Sequence, residues 1–359
     1  MENPQTNHYP FITIVMPIRN EAAFIRQGLS AVLSQDYPAE RMEIIVADGM
    51  STDGTFEIVQ ALQAKYANLH VIRNQGKIVP TGMNAALMQA RGEIIIRVDG
   101  HCEIAPDYAR RCIEHLQNDG VDGVGGPLET IGETGMACTI ALAMSSPFGV
   151  GGSAFRTVKN KSMLVDTVAF PAYTRTIMER AGPYDEELVR NQDDEYNYRL
   201  RKLGAKILLA ANIHARYYSR SSLRSLWRQY FQYGYWKVRV LQKHPRQMRP
   251  RQFAPIAFVV AFLGTSVLAF FTPIGRVLLF LVAGSYSLTS VASSVWTARK
   301  HGWSHLFLLP VVYLMLHLSY GLGFLCGLVK FRNRWRDTQT HASTRHDIAI
   351  VTNAASFQH

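Results

Sequence analysis

Two side chains that bind divalent cations, Asp99 and His101, stand two residues apart in the segment RVDGH. With only Gly100 between them, both can reach into one pocket. They could hold Mg²⁺ or Mn²⁺ bridging a diphosphate, because such ions keep waters and phosphate oxygens and need only one or two protein ligands. Turns often contain both residue types, so the pair alone does not establish a metal site.

Three successive acids, Asp193, Asp194 and Glu195, open the helical pattern NQDDEYNYRLRK. Acids at a helix N-terminus are stabilised by the helix dipole, which is a simple alternative explanation for Asp194 and Glu195. The chemical hypothesis is that one of the three is a general base. Displacement of a diphosphate by a hydroxyl requires one carboxylate to take the proton, while a metal or basic groups neutralise the leaving group.

A further carboxylate, Asp48, ends the strand-like run EIIVAD and precedes the turn-rich segment GMSTDGT. An acceptor-only side chain there could bind a uracil N–H or a ribose hydroxyl. For Asp53, within the turn, capping of the next helix is the simpler interpretation.

A parallel sheet is expected to position these residues. Buried-strand runs alternate with helical patterns over the first hundred residues. The predicted strands are FITIVMP, EIIVAD, LHVIRN and EIIIRVD, and the predicted helices cover residues 21–33, 55–65 and 80–90. Ligands bind at the carboxyl ends of such strands, which adds Arg19 and Glu21 to the candidates. No GxGxxG motif follows the first strand, which argues against a dinucleotide-binding dehydrogenase.

Residues 252–275, 277–298 and 302–329 contain no Asp, Glu, Lys or Arg. Each stretch is long enough to cross a bilayer, so we predict a membrane region; a hydrophobic dimerisation tail is the alternative. The net charge is +11, and much of the excess flanks these stretches. We interpret it as positive-inside charge and contact with anionic lipid, and expect no nucleic-acid partner. The flanking cations are Lys237, Arg239, Lys243, Arg246, Arg249, Arg251, Arg299, Lys300, Lys330, Arg332, Arg334 and Arg336.

The polar N-terminus, MENPQTNHYP, has no signal-peptide pattern, so the first domain is expected in the cytosol. The four cysteines have no CxxC spacing and indicate neither a zinc site nor a disulfide framework.

The ordered segments IVMPIRNE, EIIVADGMSTDGT, IIIRVDGH and NQDDEYNYRLRKLGAKI resemble family 2 glycosyltransferases with the GT-A fold, over residues 11–213. The segments RVDGHC, SPFGVGGSAFR and RQYFQYGYWK resemble the succinoglycan-type exopolysaccharide glucosyltransferases of bacteria. The resemblance implies that Asp48 contacts uridine and that Asp99 and His101 occupy the metal-binding DxD positions. It places the family's Glu-Asp pair on Gln192 and Asp193, which makes Asp193 the candidate base. His101 and Gln192 depart from the family pattern.

Processive relatives carry a QxxRW motif, but here Gln232 and Tyr233 stand where Arg and Trp would, which argues against a processive synthase. Gln229, Tyr233 and Trp236 are candidate acceptor-site residues; anchoring at the lipid headgroups is the alternative for this aromatic stretch. Arg156 is a candidate for an acceptor diphosphate. Lys77 is a candidate for the donor diphosphate.

We therefore predict an α/β chain with a Rossmann-like GT-A catalytic domain over residues 1–220, an interfacial helical segment over 221–252, a transmembrane region over 253–330 and a basic tail over 331–359. The predicted function is inverting transfer of one sugar, with glucose expected, from a UDP-sugar to a polyprenyl-diphosphate-linked oligosaccharide during exopolysaccharide assembly. The site would be cytosolic, on the bacterial inner membrane, with other polysaccharide-assembly proteins as further partners. The alternatives are a processive polysaccharide synthase and a non-catalytic scaffold that binds nucleotide sugars.

Three full crossings would place the basic segment KFRNRWRD outside, against the positive-inside preference. A re-entrant third segment, turning at Pro310 and residues 321–323, would remove this conflict. We accordingly predict a cytosolic C-terminus.

Overall fold

The computed structural model describes residues 9–335. The strands are β1 (Ile12–Ile18), β2 (Met42–Asp48), β3 (Leu69–Arg73), β4 (Ile94–Arg97), β5 (Cys102–Ile104), β6 (Gly123–Gly125), β7 (Leu128–Ile131), β8 (Met163–Leu164), β9 (Ala172–Thr174), β10 (Ile207–Leu209) and β11 (Ala215–Tyr218). The helices are α1 (Ile25–Leu33), α2 (Thr55–Gln63), α3 (Val79–Leu87), α4 (Tyr108–Asn118), α5 (Gly135–Met144), α6 (Pro147–Val150), α7 (Ala154–Thr157), α8 (Arg175–Ala181), α9 (Gln192–Lys202), α10 (Leu223–Lys243), α11 (Pro250–Phe271), α12 (Pro273–His301) and α13 (Leu309–Lys330).

The large sheet has the strand order β3-β2-β1-β4-β9-β6-β10-β8. Strands β3, β2, β1 and β4 are parallel, whereas β9 is antiparallel to both of its neighbours. Successive side chains of a strand alternate between faces, so Ile14 and Met16 of β1 enter the core on one face and Val15 enters the core on the other. Burial of each such side chain contributes roughly 1.5–3 kcal/mol. The predicted parallel α/β fold is confirmed.

A small sheet beyond β4 supports the segment that carries His101. Its order is β5-β11-β7, with β11 antiparallel to β5 and parallel to β7. The ring of Tyr217, in β11, lies 5.1 Å from the His101 ring, centroid to centroid. The small sheet therefore forms a wall behind the candidate metal ligands.

Helix α10 is attached to the α/β region by buried ion pairs. Lys237 Nζ donates to Asp194 Oδ2 at 2.7 Å, and the Arg239 guanidinium donates to both carboxylate oxygens of Glu187 at 2.7 and 2.9 Å. Lys243 Nζ lies 2.8 Å from Glu187 Oε2. Lys237 and Arg239 are only 2% and 0% exposed. The prediction that these three cations contact lipid is wrong, because acids of the α/β region pair with them.

Three C-terminal helices, α11, α12 and α13, are long and apolar enough to cross a membrane by length and composition. Helix α13 is continuous, so the predicted break within it is wrong. Pro310 occupies the first turn, where a helix needs no N–H. Gly321 and Gly323 do not break the helix but allow close contacts. A Cβ at Gly321 would lie 2.5 Å from the Val259 side chain, and a Cβ at Gly323 would lie 2.1 Å from the Phe231 carbonyl oxygen.

The predicted boundary at residue 220 falls between β11 and α10, and the one at residue 252 falls in the first turn of α11. Residues 336–359 of the predicted tail, with Arg336, lie outside the described residues.

Candidate active site

The carboxyl ends of β1 and β4 open into one cavity of about 1330 Å³, which extends to the C-terminal helices. It brings together nine of the predicted site residues. They are Arg19, Glu21, Lys77, Asp99, His101, Arg156, Asp193, Gln229 and Tyr233. Asp48 and Trp236 are not part of its wall.

Arg97, the last residue of β4, links the two central carboxylates. Its Nε and Nη2 donate to Asp99 Oδ1 at 3.0 and 2.8 Å, and its Nη1 donates to Asp193 Oδ1. Its side chain is only 7% exposed, and the two acids raise its pKa against the effect of burial. The sequence prediction missed this residue. The sequence feature that could have identified Arg97 is its position as the single cation in the apolar run EIIIRVD, since a charge on a buried strand must be paired.

Asp193 lies in the first turn of α9, after Asn191, whose backbone is left-handed with φ 62°. The Asn191 side chain donates to the Tyr233 carbonyl at 2.8 Å, which joins this turn to α10. Desolvation raises the pKa of the Asp193 carboxyl; Arg97 opposes the shift, and the nearby charges of Asp99 and Asp194 add to it. Asp193 still has 41% of its side-chain surface accessible and lines the cavity.

The two acids beside Asp193 have other partners. Asp194 pairs with Lys237, and Glu195 is bound by Arg199 at 2.6 Å and by His244 at 2.9 Å. Asp193 and Asp194 both line the cavity, and Asp193 is the most accessible of the three carboxylates, with 41% of its side-chain surface exposed against 30% for Asp194 and 2% for Glu195.

His101 is oriented by Glu21, whose Oε1 lies 2.8 Å from its Nδ1. A contact between one ring nitrogen and a carboxylate is the arrangement that orients metal-binding histidines, with the other nitrogen, Nε2, available as the ligand. Gly100 permits the contact, because a Cβ there would lie 2.9 Å from the Ile18 side chain and 3.0 Å from Glu21 Cγ.

The donor set of Asp99 and His101 fits a divalent cation. Arg97 occupies Asp99 Oδ1, whereas Asp99 Oδ2 accepts no hydrogen bond from residues 9–335. Over the same residues, no group of three or more His, Cys, Asp or Glu side chains could hold a metal by itself. A cation here would therefore take its remaining ligands from phosphate oxygens and water, as Mg²⁺ commonly does.

Asp48 is fully buried behind the cavity. Its Oδ2 accepts from the Ser51 backbone N–H at 3.1 Å and from Arg73 Nη1 at 2.9 Å, and the Arg73 guanidinium lies 3.2 Å from the centroid of the Phe56 ring. Its Oδ1 is buried and has no partner among the described residues. Because Arg73 ends the neighbouring strand, β3, it reaches Asp48 directly; contact between Asp48 and uridine stays a prediction.

Arg156, Gln229 and Tyr233 lie together on the wall near Tyr217. Arg156 Nη1 donates to Thr130 Oγ1 at 3.1 Å, and its guanidinium lies 5.5 Å from the Tyr217 ring centroid. Gln229 Nε2 donates to the hydroxyls of Tyr217 and Tyr233 at 3.2 and 2.9 Å. Tyr217 was missed because a tyrosine in a short strand is a common core residue.

Trp236 faces away from this cluster. Its indole N–H donates to Gln232 Oε1 at 3.0 Å, and its ring centroid lies 5.6 Å from that of Phe331. It belongs to the contact between α10 and the end of α13.

The far end of the cavity is aromatic and belongs to the C-terminal helices. Phe258 of α11 stacks on Tyr286 of α12 at 4.1 Å, and Tyr286 donates a hydrogen bond to His317 of α13 at 3.0 Å. Phe148, which lines the same cavity, packs against His317 with centroids 5.0 Å apart. One continuous space thus joins the carboxylates to the apolar helices.

Solved structures with this fold include the mannosyltransferase PcManGT of Pyrobaculum calidifontis in complex with GDP-Man and Mn²⁺, with a TM-score of 0.55, 17% identity and coverage of 87% of each chain. Staphylococcus aureus TarS, residues 1–349, matches with a TM-score of 0.51, 15% identity and coverage of 92% of each chain. These similarities and the sheet topology show that the chain has the GT-A fold.

Sequence comparison gives the family. Residues 13–181 match the sequence model of the family described as glycosyl transferase family 2. The succinoglycan biosynthesis protein ExoA of Rhizobium meliloti is 30% identical over 335 residues, which are 89% of this chain and 96% of that protein. A dolichyl N-acetyl-α-D-glucosaminyl phosphate 3-β-D-2,3-diacetamido-2,3-dideoxy-β-D-glucuronosyltransferase of Methanococcus voltae is 28% identical over 329 residues, or 89% and 98% of the two chains. The chain belongs to glycosyltransferase family 2, as predicted.

Proposed function

We propose that this enzyme transfers one sugar, glucose in our proposal, from a UDP-sugar to a lipid-linked saccharide, with inversion at the anomeric carbon. The observation that carries the proposal is the single cavity that joins Asp99, His101 and Asp193 to the aromatic residues of α11, α12 and α13. At about 1330 Å³ it exceeds the roughly 300–1,000 Å³ of an ordinary ligand pocket, so it has room for a donor and an acceptor together.

Asp193 serves as the general base in this mechanism. Its Oδ1 is held by Arg97, and its Oδ2, whose one partner is Gln192 Nε2 at a long 3.4 Å, takes the proton of the acceptor hydroxyl. As that proton moves to Asp193, the hydroxyl oxygen forms a bond to C1 of the donor sugar, and the bond from C1 to the diphosphate breaks. UDP departs with the electron pair of that bond, and the single displacement inverts C1.

Asp99 and His101 would hold Mg²⁺ or Mn²⁺. When bound, the cation would neutralise charge on the departing diphosphate. Lys77 and Arg19 line the cavity after β3 and β1, and in this proposal they contact the donor. Arg19 Nη1 donates to the Lys77 carbonyl at 3.3 Å, so the two segments that carry these cations are linked.

The acceptor is proposed to be a polyprenyl-diphosphate oligosaccharide. Its apolar chain would lie at the aromatic end of the cavity, its saccharide near Gln229 and Tyr233, and its phosphates near Arg156. The names of the two sequence relatives, one a succinoglycan biosynthesis protein and one a transferase named for a dolichyl phosphate-linked sugar, support this class of acceptor. We place the reaction on the cytosolic face of the bacterial inner membrane, in exopolysaccharide assembly.

Replacement of Asp193 tests the mechanism. Asp193→Asn should abolish transfer while leaving the affinity for UDP within about twofold, because the amide cannot accept the proton but keeps the size of the side chain. Asp36→Asn is the matched control and should retain transfer, since the Asp36 side chain is 67% exposed and does not line the cavity. Transfer assays and calorimetric titration with UDP measure the two effects. Full activity of the Asp193 variant would refute the assignment of the base.

A further inference from the structure

We infer that the hairpin of α11 and α12 is the element inserted into the lipid bilayer, and that α13 stays outside the hydrocarbon, along the catalytic domain. The residues that follow α13 would then lie on the same side of the membrane as the active site. This inference concerns the surface of the molecule and does not depend on which sugar or acceptor is used.

Helix α13 is fixed side by side with α10. A Cβ at Gly323 would lie 2.1 Å from the Phe231 carbonyl oxygen, and one at Gly327 would lie 2.5 Å from that of Tyr235. Further along, Gln242 Nε2 donates to the Phe331 carbonyl at 2.8 Å. The contacts advance in the same direction on both helices, so α10 and α13 run parallel over this length.

Helix α10 cannot enter hydrocarbon. It carries Arg224, Arg228, Lys237, Arg239 and Lys243, and the last three pair with acids of the catalytic region. Placing even one such charge at the centre of a bilayer costs about 2.5–3.5 kcal/mol on insertion scales. Because α13 is packed along α10, a crossing by α13 would draw these charges into the membrane.

The catalytic domain also holds the first half of α13. His317 Nε2 lies 2.9 Å from the Phe148 carbonyl oxygen, and the rings of Phe148 and Tyr313 are in edge contact at 5.0 Å. As a result, 50% of the most apolar part of α13 is buried within the protein, against 11% for each of α11 and α12.

The α11–α12 hairpin has the surface of a lipid-embedded element. Phe270 near its tip is 82% exposed and Phe280 is 76% exposed. The hydroxyls of Thr265, Ser266 and Ser285 donate to carbonyls of their own helices. Hydrocarbon contains no water to satisfy polar groups, so internally bonded hydroxyls and exposed aromatic rings are the expected combination.

The turn between the two helices is also satisfied internally. Thr272 Oγ1 accepts from the Gly275 N–H at 2.9 Å, and the Thr272 N–H donates to the Leu268 carbonyl at 2.9 Å. Pro273 begins α12 without an N–H. Arg276, one turn from the tip, donates to the Ala269 carbonyl, and its long side chain can reach headgroups while its stem stays in the apolar region.

The distribution of basic residues supports the same arrangement. A hairpin returns the chain to the side from which it entered, so the basic groups before α11, at the end of α12 and after α13 all share one side. Lys and Arg are enriched on the cytosolic side of membrane proteins. Three crossings would instead separate the last group from the others. The residues concerned are Arg249, Arg251, Arg299, Lys300, Lys330 and Arg332.

Cysteine labelling tests the position of α13. In a background with all four native cysteines replaced by Ala, Lys65→Cys marks the catalytic domain and Asn333→Cys marks the turn after α13; both positions are exposed. A membrane-impermeant maleimide should label both from the same side of sealed vesicles, inside-out or right-side-out. Labelling of position 333 from the side opposite to position 65 would overturn the inference.

A second variant tests what covers the hairpin. Phe280→Cys carrying a nitroxide spin label should be relaxed by molecular oxygen, which concentrates in the bilayer, and not by a water-soluble nickel chelate. Relaxation by the nickel chelate would show a water-exposed face. Protection from both would show a protein cover, such as a second copy of the chain. Either of these outcomes would contradict the proposed bilayer contact.

Discussion

At the scale of single residues, Arg97 organises the site. Among the described residues its side chain is the one that hydrogen-bonds to both Asp99 and Asp193, so it links the candidate metal ligand to the candidate base. A planar guanidinium can donate to two carboxylates at once in a fixed geometry, whereas an ammonium group is a single point charge.

Arg97→Lys should therefore lower the transfer rate by roughly 100-fold, because small displacements of reacting groups have effects of that size. Single-turnover kinetics with saturating donor measures the rate, and thermal unfolding checks that the variant is folded. A folded variant with an unchanged rate would show that the bridge does not position the base.

If Asp99 and His101 bind the cation, the imidazole of His101 sets which cation the site prefers. His101→Asp, combined with Glu21→Gln to avoid placing two carboxylates together, restores an all-oxygen donor pair. Oxygen ligands favour Mg²⁺, and imidazole suits softer transition metals. We expect the ratio of activity in Mg²⁺ to activity in Mn²⁺ to rise roughly tenfold. An unchanged ratio would remove His101 from the coordination shell.

At the scale of elements, the contact between α10 and α13 holds Gln229 and Tyr233 in the cavity wall. The contact depends on glycines that allow the two backbones to approach. Gly323→Val should cost about 1–3 kcal/mol of stability, because the added side chain would clash with the Phe231 carbonyl. Gly284→Val is the matched control, since a Cβ at Gly284 meets nothing within 4 Å.

Thermal unfolding in detergent measures the loss of stability in the Gly323→Val variant. Transfer kinetics measure its Michaelis constant for the acceptor. We expect that constant to rise only in the Gly323 variant, because displacement of α10 moves Gln229 and Tyr233. Equal stability of the two variants would contradict the close packing of α10 on α13.

The ion pairs that attach α10 should make the protein sensitive to acid. Hydrogen bonds from Arg239 and Lys243 hold the pKa of Glu187 at about 2, against burial, which raises it. Because the pKa of Glu187 is lowered in the folded protein, its ion pairs contribute fully to stability above the ordinary glutamate pKa of 4.5. This contribution is lost as the pH falls from about 4.5 towards 2. Glu187→Gln should reduce stability by about 1–2 kcal/mol at pH 7 and by little at pH 2. Thermal unfolding of the wild-type protein and the Glu187→Gln variant at pH 7 and pH 2 measures the two stability differences. Equal differences at the two pH values would contradict the prediction.

At the scale of the whole molecule, the sheet could be predicted because periodicity is local: each buried run is visible in a few consecutive residues. Nine of the eleven predicted site residues share one cavity. Five of them follow β1, β3 and β4 and meet there because parallel strand ends converge. The other four are brought to the cavity by α7, α9 and α10; they are Arg156, Asp193, Gln229 and Tyr233. Local sequence patterns could not predict the roles of three buried cations, Arg97, Lys237 and Arg239. Their roles depend on acids 43 to 96 residues away in the chain, at Asp193, Asp194 and Glu187.

The same limit applies to the C-terminal region. Apolar length alone makes α11, α12 and α13 equivalent, and only the packing of α13 on α10 and on Phe148 distinguishes it from the hairpin. Composition indicates that a helix can cross a bilayer, whereas its partners decide whether it does.

The most direct test of the central claim is the transfer of radiolabelled sugar from each UDP-sugar in turn to a membrane lipid extract, with Mg²⁺, Mn²⁺ or a chelator present. We predict that one donor places label in the solvent-extractable lipid fraction, that each glycan grows by one sugar, and that both the chelator and Asp193→Asn abolish the signal. Label released only as free sugar at the same rate with or without lipid, or found in a long polymer, would contradict the account.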